Sequence, residues 1–82
     1  MMSKDDIYAR LSERLTDMFE VPAEKIRPDA RLYEDLDLDS IDAVDLVVKL
    51  QEITGRRIAP QEFKTVRTVS DVVDKVYALL DA

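Results

Sequence analysis

The stretch Asp35-Leu36-Asp37-Leu38-Asp39-Ser40-Ile41-Asp42-Ala43-Val44-Asp45-Leu46 lies in the middle of the chain and decides how the rest is read. Asp39 is a good N-cap residue, and Asp42 stands three positions on, where an acid can return the hydrogen bond. A helix therefore starts at Asp39-Ser40. Ile41, Val44, Val47, Val48 and Leu50 give it an apolar arc, with Leu46 on a further flank. An arc that wide predicts the most buried helix of the molecule. Gly55, the single glycine, stands where a left-handed C-terminal cap belongs. Leu36 and Leu38, spaced between acids, fit a loop tied down to a core.

Before this helix runs a long connection, from Val21 to about Asp39, holding Pro22 and Pro28. Loops of that length in small domains are usually functional or partly ordered. Ile26, Leu32, Tyr33, Leu36 and Leu38 are expected to pin it, with one helical turn over Leu32 to Leu36. Upstream, Ser3 and Asp6 form a capping-box pair, and Ile7, Leu11, Leu15 and Met18 recur at helical spacing, widened by Phe19. Val21-Pro22 ends that helix, because the residue before proline is pushed out of helical geometry. Downstream, Arg56 to Ala59 read as a linker. Pro60 can open a short helix whose core contacts are Phe63 and Val66. Thr68 and Asp71 then cap a last helix with Val69, Val72, Val73, Val76, Leu79 and Leu80 on its apolar face. No period-2 strand pattern and no repeat is present. The expected fold is all-α: a small four-helix bundle, three main helices plus one short one, with a long first loop, formed by residues 1–82 as a single domain.

Composition narrows the chemistry. The 82 residues include no cysteine and no histidine. Thiol catalysis, disulfides, a Ser-His-Asp triad and a histidine zinc site are thereby unavailable. Acidic residues number 18 against 12 basic ones, for a formal charge of −6. Nucleic acid is disfavoured as a partner, and a protein with a basic surface is favoured. No signal peptide or membrane span is read, so the expectation is a cytoplasmic monomer that does not insert into membranes.

Asp39-Ser40-Ile41 at mid-chain resembles the attachment motif of acyl carrier proteins, where Asp-Ser-Leu opens the second helix. The resemblance runs along nearly the whole chain: the first amphipathic helix, the long loop, Leu46-Val47-Val48, Ile58 after Gly55, the short helix from Pro60 to Val66 and the helix after Thr68. It implies a phosphopantetheine arm on Ser40 that holds acyl groups as thioesters, so that sulfur is imported into a chain that has none. The protein would be a non-catalytic carrier in a dissociated fatty-acid- or polyketide-like pathway. Its partners would be a phosphopantetheinyl transferase, a ketosynthase and an acyltransferase or acyl ligase. By position, the acids expected to dock basic patches on these enzymes are Asp39, Asp42, Asp45 and Glu52. The residues expected around the acyl group are Val44, Val47, Ile58, Ala59, Phe63 and Val66, with Phe63 bulky enough to narrow the space. Lys49, Arg56 and Arg57 depart from the family's acidic pattern, and Asp37 stands where the family usually has glycine. These departures point to a specialised pathway.

Other readings compete. Ser40 could simply cap a helix. The acids could form a solvated face. An aminoacyl or peptidyl carrier would share the bundle, and an unmodified helical interaction module would share its surface. Asp35, Asp37 and Asp39 suggest the start of a calcium loop, but Ser40 and Leu46 fall where that loop needs glycine and a bidentate acid, and no metal is expected. A bundle with neither histidine nor cysteine is a poor host for catalysis.

Overall fold

The structure, a computed structural model, describes residues 2–63 and 65–81. Three α-helices form the frame: α1 (Lys4–Phe19), α2 (Ser40–Thr54) and α3 (Val69–Asp81). Two short 3-10 turns, Ala23–Lys25 and Pro60–Phe63, interrupt the connections. Among the described residues there is no β-strand, only one isolated antiparallel bridge between Arg31 and Thr68. The fourth helix expected from sequence is thus a single 3-10 turn. Its expected span runs through residue 64, which lies outside the described residues.

All three helices begin with a reciprocal cap. Ser3 and Asp6 exchange backbone-to-side-chain hydrogen bonds, as do Asp39 and Asp42, and Thr68 and Asp71. Each cap satisfies amides that the first helical turn leaves without partners. The Asp71 carboxylate also accepts the N–H of Arg67, and backbone amides hold its pKa below the ordinary value of 3.8. At the other ends, α1 stops on Glu20 (φ 56°) and α2 on Gly55 (φ 68°), both left-handed. Glu20 adopts that strained region without glycine, and Pro22 two residues later prevents the helix from continuing.

The core gathers Ile7, Leu11 and Leu15 of α1 with Leu46, Val47 and Leu50 of α2 and Val69, Val72, Val73 and Val76 of α3. α1 packs against both other helices, more extensively against α3. Burying side chains of this size stabilises the fold by about 1.5–3 kcal/mol each. The expected burial of α2 needs correction. Ile41 is 71% exposed, Val44 49% and Val48 44%, while the flank residue Leu46 is 3% exposed. A helix can bury only the side that meets its neighbours. Leu46, Val47 and Leu50 take that side, which turns Ile41, Val44 and Val48 outward. α3, not α2, carries the longer buried stripe.

The long loop is tied down at many points. Val21, Ile26, Ala30, Leu32, Leu36 and Leu38 are buried in the same core. Its backbone groups find distant partners: Leu32 N–H donates to Arg67 O (2.9 Å), Val69 N–H to Ala30 O (3.0 Å) and Ser70 N–H to Pro28 O (2.8 Å). The Tyr8 hydroxyl donates to Ile26 O at 3.1 Å. The expected turn after Leu32 closes on Arg31 O, which accepts from the amides of Asp35 and Leu36. The Asp35 carboxylate in turn accepts the Arg31 N–H at 2.8 Å, a bond that lowers its pKa. Tyr33 does not pin the loop. Leu32 and Leu36 take the inward positions of this turn, leaving Tyr33 49% exposed on its outer side.

Candidate functional site

The site is built where the loop meets α2. Asp39 is extended (φ −110°, ψ −177°) and caps the helix: its Oδ1 accepts the Asp42 N–H at 2.9 Å. Asp42 Oδ2 accepts the Asp39 N–H at 3.2 Å. Ser40 is therefore the first helical residue, not the cap, and it is exposed. Among the described residues its hydroxyl has no hydrogen-bond partner. The cap also leaves the Ser40 and Ile41 amides facing outward at the positive end of the helix, a setting that suits an anion.

Beside Ser40 opens a groove of about 300 Å³ walled by Tyr33, Ala43, Val44, Val47, Gln61 and Phe63. The loop brings Tyr33, α2 brings Ala43, Val44 and Val47, and the second 3-10 turn brings Gln61 and Phe63. Of the six residues expected around an acyl group, Val44, Val47 and Phe63 line this groove. Val47, Phe63 and Val66 line a small internal space behind it. Ile58 and Ala59 line neither. Ile58 is buried, with its N–H bonded to Gln51 Oε1 at 2.8 Å, and Ala59 is exposed. Sequence reasoning missed Gln61 and placed Tyr33 in the core. The signal for Tyr33 was available, because Leu32 and Leu36 are four apart and leave its position on the opposite side of one turn.

The four acids expected to dock partners divide by environment. Asp39 and Asp42 are committed to the cap, each through one carboxylate oxygen. Glu52 pairs with Lys49 at 3.4 Å. Asp45 is exposed and forms no ion pair among the described residues. Asp45 lies beside the outward ridge of Ile41, Val44 and Val48, so one face of α2 offers negative charge next to exposed apolar surface. Asp37, just before the cap, has φ 57°. That left-handed conformation is the one glycine adopts freely and aspartate tolerates at a cost.

The residues present fit a covalently attached phosphopantetheine: an exposed hydroxyl with no other task, amides that favour a phosphate, and an adjoining groove for the group beyond the phosphate. No helix among the described residues is long and apolar enough to cross a membrane.

Comparison with known proteins gives the same answer. The family model described as "Phosphopantetheine attachment site" matches residues 9–76. "Acyl carrier protein 2" of Ralstonia nicotianae is 52% identical over 81 residues, 99% of this chain and 100% of that protein. The "Acyl carrier protein" of Acidothermus cellulolyticus is 35% identical over 75 residues, 92% of this chain and 89% of the relative. That of Thermosynechococcus vestitus is 36% identical over 73 residues, 89% of this chain and 90% of the relative. The match spans both the three-helix frame and the loop that presents Ser40, and the chain belongs to the phosphopantetheine-attachment family, among the acyl carrier proteins.

Proposed function

We propose that Ser40 is the attachment residue and that the arm it carries presents acyl thioesters to the enzymes of a specialised fatty-acid- or polyketide-like pathway. One observation carries the assignment: Asp39 caps α2, so the exposed Ser40 hydroxyl has no structural task. In the loading step Ser40 Oγ forms a bond to the phosphorus of coenzyme A that bears the pantetheine. The pyrophosphate P–O bond breaks and adenosine 3′,5′-bisphosphate leaves. The hydroxyl proton passes to the transferase. Ser40 thereafter is a tether and takes no part in catalysis, and the arm supplies the thiol.

The test is intact mass after incubation with a phosphopantetheinyl transferase and coenzyme A. A single phosphopantetheine-sized gain is expected, absent in Ser40→Ala. No gain with several transferases, or a gain that survives Ser40→Ala, refutes the assignment.

The same helix supplies a docking face. Exposed apolar surface on a small protein marks contact sites, and Ile41, Val44 and Val48 provide it beside Asp45. Partners therefore meet this face with a basic rim around an apolar patch. Asp45 supplies the largest charge contribution, Asp39 and Asp42 add the field of their remaining oxygens, and Glu52 contributes least because Lys49 offsets it. The transferase, a ketosynthase and an acyltransferase or acyl ligase are the enzymes of this class. Arg56 and Arg57, just beyond the end of α2, give that end a positive character, which supports dedicated partners over general ones. A reducing cytoplasmic setting suits a carrier whose working thiol must stay free.

A further inference from the structure

A relay of hydrogen bonds runs from the first turn of α3 to the residue before Asp39. The Asp71 carboxylate accepts the Arg67 N–H and the Thr68 N–H with one oxygen, Oδ2, each at 3.1 Å. The Arg67 carbonyl accepts the Leu32 N–H at 2.9 Å, and the Leu32 carbonyl accepts the Leu38 N–H at 3.1 Å. Leu38 leads into Asp39, whose carboxylate caps α2, and then into Ser40. The Arg67 carbonyl and the Thr68 N–H belong to one planar peptide. The carboxylate that fixes the N–H on one side of this plane therefore aims the carbonyl on its other side at Leu32.

The caps of the other two helices show what is additional here. Asp6 and Asp42 stand at the same position of their helices, and among the described residues each accepts one backbone amide, that of the cap residue. Asp71 accepts two, and the second, Arg67 N–H, lies outside the cap. We infer that Asp71 is a positioning residue for attachment at Ser40: it holds the Arg67–Thr68 peptide, that peptide holds Leu32, and Leu32 holds the backbone that enters the α2 cap. This rests on Ser40 being the attachment residue. Without the carboxylate the Arg67–Thr68 plane turns more freely, and the loop spends part of its time detached from the start of α3. A transferase then meets fewer carriers with the loop in place, and its apparent affinity falls by that fraction. Once a carrier is bound, the chemical step is unchanged.

The experiment measures initial loading rates over a range of carrier concentrations, with a phosphopantetheinyl transferase and saturating coenzyme A, for the wild type, Asp71→Ala, Asp71→Asn and Asp6→Ala. Amide hydrogen exchange is read on the same proteins at Leu32 and Leu38, with Leu15 of α1 as the reference. Asp71→Ala should raise KM for the carrier several-fold with kcat little changed, and Leu32 and Leu38 should lose protection relative to Leu15. Asp71→Asn keeps an oxygen acceptor and should restore both readings. Asp6→Ala removes the matching acid from the α1 cap and should leave both as in the wild type. Asp71→Ser gives the same readings in lesser degree should Asp71→Ala lose its fold by circular dichroism. A wild-type KM in Asp71→Ala overturns the inference while leaving the attachment site intact. Unchanged protection at Leu32 and Leu38 also overturns it, because the relay then does not carry the effect. A rise in KM shared equally by Asp6→Ala overturns it as well, since any weakened cap would then suffice. Failure of the wild type to gain mass refutes the attachment reading itself, and this inference with it.

Discussion

Asp39 and Asp42 bond each other's backbone amides, at 2.9 and 3.2 Å, across the first turn of α2, and Ser40 stands between them untouched. Asp39 and Asp42 therefore carry the structural task of this turn and leave the Ser40 hydroxyl to the proposed attachment. Ser40→Ala should leave stability within about 0.5 kcal/mol of wild type while abolishing the mass gain on loading. Asp39→Ala should cost about 1 kcal/mol. Urea melts of the two variants, with intact mass on the same samples, check both halves. A Ser40→Ala protein as destabilised as Asp39→Ala would place the cap on the wrong residue.

The acids of α2 should differ in their effect on partners. Asp45→Lys should slow loading by a transferase on the order of tenfold at low ionic strength and less at high salt, since exposed charges are screened over about 10 Å at 0.1 M. Glu52→Lys should do less, because Lys49 already sits at 3.4 Å from that carboxylate. Initial loading rates at two salt concentrations measure the difference. Equal effects from both variants would remove Asp45 from its special position.

The face of α2 that enters the core can be weighed directly. Leu46→Ala should cost about 2–5 kcal/mol, the usual range for truncating a buried leucine. Val48→Ala, on the outward ridge, should stay within about 0.5 kcal/mol. Thermal melts of both report the ratio. A destabilised Val48→Ala would mean that the exposed ridge is covered in the free protein.

Acid should weaken the fold in a defined window. Asp35, Asp71 and Asp6 each accept backbone amides that lower their pKa below 3.8. A carboxyl whose pKa is lower folded than unfolded adds stability that is complete above its unfolded value and is lost as pH falls through its folded value. Stability should therefore hold from neutral pH down to about pH 5 and decline below about pH 4. Asp71→Asn, which retains an acceptor at the cap, should flatten the acid limb. Urea midpoints from pH 3 to pH 7 track the effect, and an unchanged limb in Asp71→Asn would rule out its share.

Most of the frame is written in local signals. Ser3, Asp39 and Thr68 cap their helices with acids three residues on, and Pro22 and Gly55 mark the stops. Each of these acts within one turn and can be recognised without knowing the tertiary structure. The orientation of α2 is not local. Ile41, Val44, Leu46, Val47, Val48 and Leu50 spread around so much of the helix that periodicity alone does not choose a face; contact with α1 and the core does. The bridge from Arg31 to Thr68 depends in the same way on packing between distant segments. For the proposed site, Ser40 stands out in the sequence because its setting is a motif. Gln61 joins the groove only because the second 3-10 turn packs on α3, which sets it across the groove from α2. The left-handed backbone at Asp37, φ 57°, is one glycine adopts freely and aspartate tolerates better than most residues.

The backbone hydrogen bonds between residues 28–32 and residues 67–70 also bear on the order of events during synthesis. The loop that presents Ser40 takes its shape from backbone partners at the start of α3, close to the end of the matched region. A growing chain can form α1 early, but that loop has to wait until α3 has emerged and docked, because non-local pairing is completed late. Under the proposed assignment, a transferase that reads the folded loop acts only after α3 has docked. Attachment at Ser40 would in that case report that the loop and the start of α3 have come together.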